Sequence, residues 1–228
     1  MNNEQTNLKK ETDLRIDWLD IKVAIIIGLI YAPLKALELH GNPPWNIPGK
    51  TIEIIINTLC IAYILLRVQR VPEKLKEWGL TTPITVGALM AFIGLQALAT
   101  ISLAALSLQV GGSLSFKVGY VYEMIGYILG AFPQQFLVFA IGVSTLEKIP
   151  LLRGWWRVPL LTGAVFALGH FWSPAKIPGT FIPLQLVSTF PMGFLLAWYF
   201  IRFRTIIPLT AWHAINFVLL VNWVEKYI

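Results

Sequence analysis

The sequence predicts an all-α integral membrane protein of about seven transmembrane helices, with its N-terminus in the cytoplasm and its C-terminus outside. Composition, the lengths of the apolar runs and the placement of basic residues carry that prediction. The chain is 56% hydrophobic and only 13% charged, with mean hydropathy +0.67, whereas a soluble domain carries about 25% charged residues. About twenty apolar residues cross a bilayer, and seven runs of roughly that length fit the sequence. The basic residues alternate with those runs. Twelve lie in the N-terminal tail and the 2–3, 4–5 and 6–7 loops, against four (Lys50, Lys117, Lys176 and Lys226) in the other loops and the C-terminus. The positive-inside rule then fixes the orientation, and an even number of spans would break the alternation.

Residues 1–16 form a polar tail with no apolar core and no small-residue cleavage site, so no cleavable signal peptide is expected. Residues 17–228 are read as a single transmembrane helical domain. Span one is expected at about Trp18–Leu37. It is followed by HGNPPWNIPGK, whose Pro and Gly forbid a helix and whose Trp suits an interface. Span two covers about Thr51–Val68. The charged stretch RVQRVPEKLKEWGL reads as an interfacial amphipathic helix with Leu75 and Trp78 toward lipid. Span three is about Ile84–Val110, ended by GGS. Span four, about Gly119–Leu146, contains Pro133, which removes a backbone hydrogen bond just before two polar amides. Span five, about Val158–Trp172, is short and stopped by SPAKIPG. Span six is about Phe181–Phe203 and span seven about Ile206–Val224.

The polar residues inside these runs are the functional signal, because an ionisable group in a span is costly and faces a site by default. His170 ends the apolar run TGAVFALGH, and His213 lies within IIPLTAWHAINFVLLVNW. The third histidine, His40, lies at a polar loop. At the helical rise, Gln134 and His170 are each about 20 Å from the basic side and His213 about 13 Å. Asn216 shares a helix face with His213. Spans four, five and seven are thus expected to converge on a buried polar pocket. Two neutral imidazoles are able to bind a metal, position a water or hold an oxyanion. The bland alternative is that His, Gln and Asn only tie helices together, as they do in membrane bundles. No cofactor is fixed by the sequence; the candidate is a divalent metal on His170 and His213. The single cysteine, Cys60, excludes an intrachain disulfide and reads as a small core residue. Basic residues at span ends speak for membrane orientation rather than nucleic acid, which is not expected as a partner.

These residues resemble the CAAX prenyl protease and bacteriocin-processing (CPBP) family of intramembrane proteases. Phe166-Ala-Leu-Gly-His170 matches that family's FxxxH motif, and His213 takes the histidine position of its late HxxxN motif. WGLTTP after span two and the Gly193 span ending in RFR resemble the family as well. The resemblance covers about residues 78–220. It implies a multi-pass protein of the cell membrane whose histidines position water and stabilise an oxyanion while a glutamate takes a proton from water. It also implies membrane lipid as surroundings, and a hydrophobic or prenylated peptide, or a membrane protein, as partner.

The departures are specific. Aligned with the family's EExxxR motif, PQQFLVFA places Gln134 and Gln135 at the paired glutamates and Phe139 at the arginine. In the late motif the fourth position after His213 is Phe217, and the asparagine comes one residue early, at Asn216. An amide has no pKa suited to general-base work. No other acid is expected at the right level: Glu123 is about 16 Å and Glu147 about 20 Å from Gln134 along the helix, and Glu38 and Glu53 are near span ends. Three readings therefore stay open. One is an intramembrane endopeptidase using His170, His213, Gln134, Gln135 and Asn216, with Phe166, Phe139 and Phe217 lining the substrate site. Another is a non-catalytic family member serving as a membrane binding, immunity or regulatory protein. The third is a lipid- or prenyl-binding protein.

Overall fold

A computed structural model describes residues 16–40, 49–152, 154–170 and 182–224. The predicted tail and most of the 1–2 and 5–6 loops lie outside the described residues. Within them the chain is helical, with no strand. Helix α1 spans Trp18–His40, α2 Gly49–Arg70, α3 Lys74–Glu77 and α4 Val86–Gln109. Helix α5 runs without a break over Val118–Leu146. Three helices follow: α6 Arg157–His170, α7 Ile182–Phe203 and α8 Ile207–Trp223. Seven of these have fourteen residues or more, at the places where the apolar runs put them.

Helices α2, α4 and α5 are each long and apolar enough to cross a membrane. Large apolar side chains stay exposed along them and α1, among them Leu29, Met90, Ile101, Tyr122 and Ile125. In water such a surface would drive aggregation; in acyl chains it is the solvated surface. Sequence punctuation sets the helix ends. Thr85 caps α4, its hydroxyl accepting from the Ala88 N–H at 3.2 Å. Gly111, at φ +72°, follows its last turn. Pro208 sits in the first turn of α8, where its missing N–H costs nothing.

Helix α5 does not stop at Pro133. It continues α-helically to Gln135, widens into a π-helix over Phe136–Val143, and closes with an α-turn over Ser144–Leu146. Proline frees a carbonyl one turn upstream, and a wider helix downstream absorbs the disturbance. The core forms around this wide segment. Phe136, Phe139, Ala140, Ile141 and Val143 are buried, packed among Trp78, Leu196, Tyr199 and Phe200.

Two helices meet unusually closely. A Cβ on Gly193 of α7 would stand 2.6 Å from Phe166 Cβ and 3.0 Å from Gly163 Cα of α6. A Cβ on Gly163 would stand 2.8 Å from the Phe190 carbonyl oxygen. Small residues let the two backbones approach, as in other membrane bundles, and the contact fixes where α6 carries Phe166.

The segment after α2 departs from the expected interfacial helix. Only Lys74–Glu77 is helical, and Trp78, expected toward lipid, is fully buried. Its ring meets Phe136 edge-on at 5.2 Å and Tyr63 at 5.9 Å. Gly79, at φ +68°, lies against the Arg204 carbonyl, where a Cβ would stand 2.7 Å away. Its own carbonyl accepts from the Ile206 N–H at 3.1 Å. Charge neutralisation draws this stretch inward. Lys74, 4% exposed, pairs with Asp20 and lies 3.2 Å from Glu77. Arg67 Nε lies 3.1 Å from Asp20, and Lys148 Nζ 2.8 Å from Glu77. Arg204 pairs with Glu147. The tail end, the 2–3 loop, the 4–5 loop and the 6–7 loop therefore meet at one end of the bundle, as successive crossings require.

These acids feel that end unequally. Burial pushes the Glu77 carboxyl up, but Lys148 and Lys74 together outweigh it and hold the group below its ordinary value. For Glu147 burial wins over the Arg204 guanidinium, and the carboxyl is raised.

Candidate functional site

Helices α5 and α8 build the centre of the site. Gln135 is fully buried and His213 is 6% exposed. The Gln135 amide nitrogen lies 2.5 Å from His213 Nδ1. With the amide as donor, Nδ1 accepts and the ring proton sits on Nε2. The other amide atom, Gln135 Oε1, is buried without a hydrogen-bond partner. An unsatisfied buried acceptor costs about 1–3 kcal/mol, a burden that a bound donor would remove.

An aromatic wall surrounds the imidazole. Phe166 of α6 meets it edge-on at 6.4 Å between centroids, and Tyr127 of α5 lies at 6.0 Å. Tyr127 stacks on Phe217 at 3.8 Å with a 5° interplanar angle. Phe139 packs 5.9 Å from Phe166. Phe139 is fully buried, so the position aligned with the family's arginine is filled by ring packing instead of charge.

The predicted residues do not all join this centre. Gln134 points from α5 toward α1 and donates to Tyr31 Oη and to the Gly130 carbonyl, both at 3.1 Å. Asn216 turns to α4, where it exchanges two hydrogen bonds with Gln96, at 3.1 and 3.2 Å. Gln96 also donates to Thr100 Oγ1 at 3.0 Å. His170 is the last residue of α6, one turn beyond Phe166, and its side chain lies outside the described residues. Among the described residues no three His, Cys, Asp or Glu side chains gather as a metal-ligand set. The candidate metal pair is His170 and His213, and with the His170 side chain outside the described residues the pair falls outside what the structure describes.

Sequence reasoning missed Gln96, Tyr31 and Tyr127. Gln96 had a visible signal, an amide in the middle of an apolar run. The two tyrosines had none. Glu53 lies near the start of α2, and its carboxylate rests against Gly130 of α5, with Oε1 3.0 Å from where a Cβ on that glycine would stand. That is one helical turn before Gln134.

A protein-family model described as type II CAAX prenyl endopeptidase Rce1-like matches residues 59–219, more than half of the chain. The chain belongs to this CAAX-protease-like family. Membership, with the apolar helices, makes it a multi-pass membrane protein surrounded by lipid. The match takes in α4 to α6 and α7 whole and most of α2 and α8, and hence every motif position named above. No curated protein and no solved structure matches the chain.

Proposed function

We propose that the chain receives a hydrophobic or prenylated peptide segment from the bilayer and holds it against His213. The observation that carries this reading is the buried Gln135–His213 contact, with an unsatisfied acceptor at Gln135 Oε1 inside an aromatic wall. A peptide N–H satisfies that acceptor. A carbonyl oxygen suits the Nε2–H donor. Prenyl or apolar side chains match Phe166, Phe139, Phe217 and Tyr127. Family membership supports a peptide as the ligand class, with the cytoplasmic half of the bilayer as the place of encounter.

Gln134 and Gln135 do not themselves take a proton from water. At the motif positions the site therefore binds and polarises. An immunity, adaptor or regulatory role needs nothing more, whereas an endopeptidase needs a base from elsewhere in the fold.

The test is photo-crosslinking of labelled farnesylated and unmodified apolar peptides to the full chain in liposomes. Capture is expected for the wild type and reduced at least tenfold in His213→Ala and in Phe166→Ala. Capture that is absent, or equal in all three proteins, refutes the reading.

A further inference from the structure

We infer that the protein binds an anionic phospholipid where α6 begins and α7 finishes, with Arg157 and Arg202 holding the phosphate. Charge singles out this place. Between Glu147 and Glu225 the sequence has six Lys or Arg and no Asp or Glu. Two of the six borrow acids at the charged end, Lys148 from Glu77 and Arg204 from Glu147. Arg157 and Arg202 are exposed and make no ion pair among the described residues. The positive-inside rule assigns this end to the cytoplasm, where the leaflet carries a negative surface potential.

Placement puts both arginines at headgroup level. Arg157 opens α6 and shares a face with Leu161, Val165 and Leu168, at helical steps of four and three. All four are exposed, while Gly163 and Phe166, which meet α7 and His213, lie on the other side. The stripe is the acyl-chain surface of α6, and Arg157 stands at its end. The fourteen residues of α6 make about 21 Å of helix, short of a hydrocarbon core of about 30 Å, so the chain just before Arg157 is drawn into the interface. Its side chains suit that position: Leu151 is 77% and Trp155 76% exposed, and Trp156 is exposed beside them. Helix α7 repeats the arrangement. From the Gly163–Gly193 contact, Arg157 lies about 9 Å and Trp198 about 8 Å toward the charged end. The exposed ring of Trp198 is thus level with the Trp156–Arg157 pair, and Arg202 follows one turn further out.

The Arg157 side chain is already ordered for the task. Its guanidinium lies over the Trp156 ring at 5.5 Å, and Nη1 donates to the Leu151 carbonyl at 2.7 Å. A guanidinium carries five N–H donors in a planar fork. These two contacts fix its plane and leave donors for a phosphate, which arginine takes bidentately. A zwitterionic headgroup brings its own cation to the phosphate; an anionic one supplies the net charge that α6 and α7 lack.

The test reconstitutes the full chain in vesicles of phosphatidylcholine mixed equally with phosphatidylglycerol. One lipid or the other carries bromine on its acyl chains, which quenches tryptophan on contact. Among the nine tryptophans, the pair before α6 is read as the emission lost in Trp155→Phe/Trp156→Phe. Wild type is expected to favour phosphatidylglycerol at this pair at least tenfold, since each basic residue at an anionic surface is worth about fivefold. Arg157→Gln and Arg202→Gln should each cut the preference by about fivefold, and the double variant should abolish it. Lys117→Gln, at the opposite end of α5, should leave it unchanged. Arg157→Lys keeps the charge without the fork and should retain part of the preference, which keeps the test decisive if Arg157→Gln fails to fold. Equal quenching by the two lipids in wild type overturns the proposal, as does a preference that survives both arginine substitutions.

Discussion

Replacing Gly193 by alanine tests the helix contact on which the site stands. The added methyl would be 2.6 Å from Phe166 Cβ and 3.0 Å from Gly163 Cα, where carbon atoms normally settle at about 3.5–4.0 Å. The shortfall is about 1 Å. Neither obstructing atom is the end of a flexible side chain, so relief requires α6 to shift against α7. Overpacking of this kind costs about 1–3 kcal/mol. Alanine also gains up to about 1 kcal/mol of helix propensity over glycine, so the proper reference is Gly94→Ala in α4, where nothing lies within 4 Å of the new methyl. At about 2–4 °C per kcal/mol for a chain of this size, Gly193→Ala should melt roughly 2–12 °C below Gly94→Ala in detergent micelles, followed by tryptophan fluorescence. Peptide capture should fall with it, because Phe166 rides on α6 beside His213 and Phe139. A Gly193→Ala protein that melts with or above Gly94→Ala would show that the two helices are not in contact there.

Two further outcomes follow from particular contacts. Asn216→Leu and Gln96→Leu each strand the partner amide and should each lower stability by about 1–3 kcal/mol. The double variant should cost less than their sum, with a coupling of about 1 kcal/mol, near the values found for polar pairs in membrane helices; a zero coupling in thermal melts would remove the interhelix bond. Glu77, held low by Lys148 and Lys74 against burial, contributes stability that is complete above its ordinary value near 4.5 and is lost as pH falls through its depressed one. The melting advantage of wild type over Glu77→Gln should therefore hold from pH 7 down to about 4.5 and shrink only below it, as the carboxyl takes up its proton; Glu147, raised by burial, should show the opposite trend.

The helices were legible because each apolar run is bounded by Gly, Pro or charge, and a bilayer fixes its length. The inward-facing motif aromatics were legible for the same reason that the family was: residues spaced along one helix face stay together in any fold. Trp78 was not. Its neighbourhood of Lys and Glu looks interfacial until Asp20, 54 residues earlier, neutralises Lys74, and no local pattern announces that partner. Asn216 read as a companion of His213 because they share a helix, whereas its actual partner sits 120 residues away on α4.

The wide π-turns of α5 have a consequence for how this protein can be altered. One half of that helix presents Gln135 to His213, and the other docks Ser144 on the carbonyl of Glu77. The segment Phe136–Val143 between them sets the angular phase of the two halves. Each residue of an α-helix turns the chain by about 100°, so deleting one residue there would rotate the amide off the imidazole while leaving composition, hydropathy and both anchors intact. Among otherwise similar chains, a one-residue gap at this place would mark a different alignment of the chemistry.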